Sequence, residues 1–127
     1  MAVKTDHWVS GVFYAVDARD TAAVMKLFAD DPTMRFGNAE PAVGREQVEA
    51  AVAGFFAMVA GLRHEITGVW TGTWPGGEVR SIESDVTYTR HDGSLVGPLP
   101  ATTTLRLDEI GRIKHYQIFM DVSPLFA

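Results

Sequence analysis

His64 stands in the stretch GLRHEITGVW, residues 61 to 70, whose residue types alternate as in a sheet strand. Successive strand residues face opposite ways, so the imidazole shares a face with Leu62, Ile66, Gly68 and Trp70. A histidine so placed is either a hydrogen-bonded structural residue or an acid/base that looks into a pocket. Two carboxylates, Glu83 and Asp85, lie on the following strand-like run, EVRSIESDVTYTR. If Thr73 pairs with Glu78 across the turn WPGG, Ile66 falls opposite Asp85, Gly68 opposite Glu83 and His64 opposite Thr87. Directly paired residues share a side, which makes Asp85 a diagonal neighbour of His64 with Glu83 one step further along. A carboxylate bonded to one imidazole nitrogen fixes the tautomer, and the other nitrogen is left to take or give a proton near neutral pH. The expected catalytic set is therefore His64 as acid/base, Asp85 orienting it, and Glu83 as a second acid or base. A sealed structural pair, or acids that merely solvate an open sheet face, is the competing account.

The surroundings are expected to be apolar. Phe36, Trp70, Leu105, Tyr116 and Met120 would wall the pocket and shift the acid and base groups within it. Arg35 would bind a carboxylate or enolate, or be solvated; Tyr14 would bring a hydroxyl to the cavity, or simply pack. Asp17 and Asp20, in DARD, read as helix caps and links, and Asp121 as a turn former. His7, His91 and His115 share no metal-ligand spacing with His64 or with acids and read as surface residues, so no metal site is expected. No glycine-rich phosphate loop follows a strand, and no cofactor is expected. Ile82, Val86 and Tyr88 would form an apolar row on the sheet's other face, which points to a homodimer.

The elements that must position these residues divide into two halves. Trp8, Val9, Val12, Phe13 and Val16 recur at helical spacing, predicting a helix from about Asp6 to Ala18. A second helix follows Asp20 with Val24, Leu27 and Phe28 inward, and Pro32 ends it; TMRF reads as a short strand and GNAEP as a turn. A third runs from about Arg45 to Ala60, burying Val48, Ala51, Val52, Phe55, Met58 and Val59. From Leu62 the chain reads as two hairpins, one across WPGG and one across EIG, with RHDGSLVGPLP as the loop between them. Helices first and antiparallel strands afterwards imply an α+β domain, helices on one face of a curved sheet, with a cavity between the layers.

Composition narrows the function classes. A chain of 127 residues fits one domain, 1–127, able to bury a core without metals or disulfides. With 16 acidic residues, 11 basic ones and a formal net charge of -5, it offers no footprint for nucleic acid or an anionic membrane surface. It has no cysteine, no run long enough to span a membrane and no signal-like N-terminus, so a cytoplasmic protein is the expectation.

The order of elements, with FYAVDARDTAAVMKLFADDPTMRFGNAEPAVG and the terminal GRIKHYQIFMDVSPL, resembles the nuclear transport factor 2-like superfamily and its SnoaL-like branch. LFADD, Gly44 before the third helix, and the final GRI...MD carry most of that resemblance. It implies a cone-shaped fold with an interior pocket, often dimeric through the sheet's outer face, and places Thr103 and Ile118 at pocket positions. It does not choose among isomerases, cyclases, epoxide hydrolases, dehydratases and binding proteins. The positions that serve ketosteroid isomerases fall on Phe36, Val12 and Thr103; those of limonene epoxide hydrolases fall on Glu83, Asp85 and Ile118, so only Asp85 matches. The expected function is cofactor-independent acid/base catalysis (isomerase, cyclase or dehydratase type) on a hydrophobic carbonyl compound. A non-catalytic binding or assembly domain is the alternative, and epoxide or lactone hydrolysis a further one.

Overall fold

The computed structural model describes residues 7–127. Helix α1 (His7–Asp17) buries Val9, Val12, Phe13, Ala15 and Val16, the stripe that its spacing predicts; the expected start at Asp6 lies outside the described residues. Asp20 caps α2 (Thr21–Met25) by accepting the Ala23 N–H at 3.0 Å. That helix ends sooner than its apolar pattern suggests. Ile113 N–H bonds the Leu27 carbonyl at 2.9 Å and Phe28 pairs with Ile113, so sheet pairing takes the residues a longer α2 would have used. Strand β1 (Phe28–Phe36) therefore contains Pro32, with an irregularity between Phe28 and Thr33 where the missing N–H is tolerated.

After the short β2 (Ala42–Val43), α3 (Arg45–Met58) buries Val48, Val52 and Phe56, while Ala51 and Met58 face outward. The Arg45 guanidinium donates to the carbonyls of Met25, Phe28 and Ala29, which pins the start of α3 to β1. Four long strands follow: β3 (Gly61–Trp74), β4 (Gly77–Thr89), β5 (Leu95–Leu107) and β6 (Ile113–Phe119). The GPLP segment expected in a loop is thus part of β5. The six-stranded sheet has the order β2-β1-β6-β5-β4-β3, antiparallel except for β1 with β6. This is an α+β architecture, three helices on a curved, open sheet, with the core between them. Among the described residues no helix is long and apolar enough to cross a membrane.

One residue of β3 decides which side chains meet. Thr73 pairs with Glu78 and Gly68 with Glu83 as expected, but a bulge at Thr67 shifts the ladder, so Ile66 pairs with Ser84 and His64 with Val86. An extra residue in one strand reverses facing on its far side. Leu62, His64 and Ile66 point inward together with Val69, whereas Trp70 turns outward and is 55% exposed. On β4 the inward set is Ile82, Ser84, Val86 and Tyr88; Glu83 and Asp85 lie on the outer face. The apolar row assigned above to an outer, dimer-forming surface is therefore core.

Candidate active site

His64 does meet a carboxylate, but it belongs to Asp17 and not to Asp85. Its Nδ1 lies 2.6 Å from Asp17 Oδ1, and its backbone N–H donates to Asp17 Oδ2 at 3.0 Å. The last residue of α1 thus grips β3 with both oxygens of one side chain. The imidazole packs against the Phe13 ring, 4.7 Å between centroids, and only 10% of its side chain is exposed. With Nδ1–H committed to the carboxylate, Nε2 is the nitrogen left for a bound molecule, and among the described residues it meets no partner.

His64 lines an apolar cavity of about 40 Å³ between the helices and the inner sheet face. Space of that size holds more than one water-sized group. Phe28, Phe36, Phe55, Phe56, Tyr88 and Tyr116 supply its aromatic wall. Phe55 links Phe36, 5.0 Å away, to Tyr88, 5.8 Å away, by ring contacts, and the Tyr88 hydroxyl donates to Met120 Sδ at 3.5 Å. Thr103, 1% exposed, adds a hydroxyl. Burial, then the nearby Asp17 carboxylate, pushes the Tyr88 phenol up to about 12; the same two causes, with Tyr88, raise Tyr116 further. Both phenols therefore stay protonated across the physiological range and can donate a hydrogen bond to developing negative charge.

A consequence for stability follows from the sign of these shifts. A folded-state value above the unfolded one contributes stability that is complete below about pH 10 and is lost as pH rises through the folded value. Absorbance at 295 nm should show Tyr88 ionising near pH 12 or together with unfolding, with stability in urea falling between pH 10 and 12. Ionisation of all tyrosines near pH 10 in the native state would contradict the buried placement.

The sequence-derived set is thus partly relocated. Phe36, Thr103, Tyr116, Ile118 and Met120 line the cavity with His64. Leu105 is wholly buried in the core but does not reach the cavity. Glu83 and Asp85 sit across the sheet because of the bulge at Thr67, and Trp70 follows them outward, its ring lying over Gly68. Arg35 faces outward because β1 alternates with Met34 and Phe36 inside, and Tyr14, 80% exposed, falls on the solvent side of α1. Asp17 and Tyr88 are the polar residues missed, and Phe28, Phe55 and Phe56 are added to the aromatic wall. Asp17 had a signal: it stands four residues after Phe13, on the buried face of its helix, while Asp20 alone suffices as the cap.

The sequence profile of the SnoaL-like domain matches residues 9–116. The chain belongs to the SnoaL-like family. Among solved structures, this SnoaL-like chain is similar to a Catenulispora acidiphila protein with a ketosteroid isomerase-like fold in complex with trimethylamine, at TM-score 0.80 and 23% identity, covering 95% of this chain and 90% of that one. SalBIII, an epoxide hydrolase/cyclase-like enzyme of pyran ring formation in salinomycin, matches at TM-score 0.76 and 15% identity over 91% and 89% of the two chains. A Streptomyces avermitilis protein of the NTF2-like family, provisionally named a dehydratase, matches at 0.72 and 15% identity over 89% and 90%. At such identities the likeness shows the NTF2-like fold alone. No curated protein sequence matches the chain.

Proposed function

We propose that this SnoaL-like domain performs proton-transfer chemistry, isomerisation, cyclisation or dehydration, on a small, uncharged, hydrophobic carbonyl compound. The observation that carries the reading is the Asp17–His64 pair opening into a cavity that also holds two protonated phenols. Asp17 holds the Nδ1–H tautomer, so Nε2 takes the proton from carbon next to the carbonyl. Tyr88 or Tyr116 donates to the oxygen that gains charge, Tyr88 exchanging its weak sulfur contact for a better acceptor. Return of the proton from Nε2 to another carbon completes an isomerisation; its delivery to a leaving hydroxyl completes a dehydration. The cavity size favours a molecule of few heavy atoms, and no Lys or Arg lines the wall to hold an anionic group.

The same wall supports a second reading, a non-catalytic receptor for a small alkylammonium ion. The aromatic faces of the wall attract such cations, and the Catenulispora relative was solved with trimethylamine. One experiment separates the readings. The protein is mixed in D2O with a panel of short-chain ketones, enones and lactones, and separately with trimethylammonium chloride, while the His64 ring and the α-protons of the probes are followed by NMR. Deuterium entering an α-position faster than in buffer supports catalysis. Shifts of the His64 ring with trimethylammonium and no exchange on any carbonyl probe favour the receptor, and no response to any probe defeats both.

A further inference from the structure

A second recess lies across the sheet from the cavity, on the outer face where β1, β6 and β5 adjoin, with a volume of about 400 Å³. The strand register assembles it. Thr33, His115 and Arg106 stand in one row across these strands, and Arg35 is paired with Gln117 one step along. The half-buried Trp74 forms one wall, its indole N–H donating to the Leu107 carbonyl at 2.8 Å and its ring meeting His115 edge-on at 5.4 Å.

The charge in this recess is uncompensated. Among the described residues the ion pairs of Arg63, Arg80, Arg112 and Lys114 each have a carboxylate, but neither Arg35 nor Arg106 has one. Arg35 uses only its Nε, on the Ala39 carbonyl at 3.2 Å. Lys114 beside them is taken by Asp31. Burial, with the charges of Lys114 and Arg106, lowers the His115 pKa below its usual value despite Asp31, consistent with a cationic surrounding. In a chain of net charge -5, two guanidinium groups without a carboxylate partner, gathered over one concavity, make a local positive potential against the overall sign. Planar guanidinium groups match the paired oxygens of carboxylate and phosphate, the Gln117 amide adds a donor, and the indole gives an apolar surface for whatever carries the anion.

We propose that this outer recess is a binding site for a small oxyanion, a carboxylate or a phosphate, held by Arg106 and Arg35 and packed against Trp74. It is separate from the proposed catalytic cavity, whose wall carries no cation.

The test is an NMR titration of the whole chain with sodium benzoate and, separately, with inorganic phosphate at matched ionic strength, reading the Trp74 indole N–H and the His115 ring. The proposal expects saturable shifts at both reporters with at least one probe, weakened about tenfold or more in Arg106→Gln and in Arg35→Gln, the loss of a charge-assisted contact. Both positions are on the sheet surface, and an unchanged His64 ring spectrum would verify that the variants fold. Absence of saturation with both probes, or equal binding by folded variants, overturns it. So does a third result: reporter shifts that follow protein concentration without added anion and disappear in Glu83→Gln/Asp85→Asn. The arginines would then serve the carboxylates of a second copy.

Discussion

Asp17→Asn is expected to slow turnover of an accepted carbonyl substrate by about a hundredfold to ten-thousandfold, the range for loss of a positioned base and its orienting acid. The reason is a count of acceptors. Asp17 takes Nδ1–H of His64 on one oxygen and the His64 backbone N–H on the other. An amide of the same shape has one oxygen. It must leave the backbone N–H unpaired or turn its NH2 toward Nδ1, which forces the proton onto Nε2 and removes the base. The loss of a charge-assisted bond at this half-buried site should also cost about 1 to 3 kcal/mol in urea unfolding. Steady-state kinetics of Asp17→Asn, His64→Gln and the double variant check the unit: the double should be little worse than either single, since the two act together. Asp85→Asn is the control, because its carboxylate lies on the outer face and should leave the rate unchanged. A dead Asp85→Asn beside an active Asp17→Asn would refute the assignment.

That pair of variants also marks how far the chemistry could be read from residue order. The helical stripe of α1, the hairpin across WPGG and the cap at Asp20 follow from local patterning, and the structure has them where the pattern puts them. His64 as an inward imidazole with a carboxylate on one nitrogen was legible as well. The identity of that carboxylate was not. The choice between Asp85 and Asp17 turns on the extra residue at Thr67, and a bulge of this kind leaves no trace in a strand's alternation when polar and apolar residues continue on both sides of it. The same slip moved Trp70 out and brought Tyr88 in, so an expected aromatic wall residue gave way to an aromatic hydrogen-bond donor. The end of α2 was hidden for a different reason: Leu27 and Phe28 continue its apolar spacing, and only the distant Ile113 claims them for the sheet. Contacts between the last residue of one element and a strand 47 positions later are set by packing, which no window of sequence contains.

Gly97→Ala should be the most damaging small substitution in the sheet, by about 3 kcal/mol or more, from backbone strain and overpacking together. Gly97 has φ +117, outside the range that side-chain-bearing residues favour. A Cβ there would lie 2.5 Å from the Val86 carbonyl oxygen, 3.1 Å from Leu99 N and 3.2 Å from Thr87 Cα, all backbone atoms that cannot swing aside. The position is also where β5 carries an extra residue: Val86 pairs with Leu99 and Tyr88 with Val96, so Gly97 and Pro98 together stand opposite Thr87. This bulge lets Val96 and Leu99, three positions apart, both turn to the core side opposite Tyr88 and Val86 while β5 stays bonded to β4. Gly93→Ala is the matched comparison, since Gly93 has φ +87 but nothing within 4 Å of the added carbon, and should pay only the backbone cost of about 1 kcal/mol. Urea unfolding of the two variants measures the difference, which a small domain of ordinary stability can register without collapsing. Equal losses would mean that β4 and β5 can part at the bulge without penalty. A much larger loss at Gly97, accompanied by earlier ionisation of Tyr88 in alkali, would show that the bulge holds the phenol in its buried place and so ties this backbone feature to the proton-donating wall of the cavity.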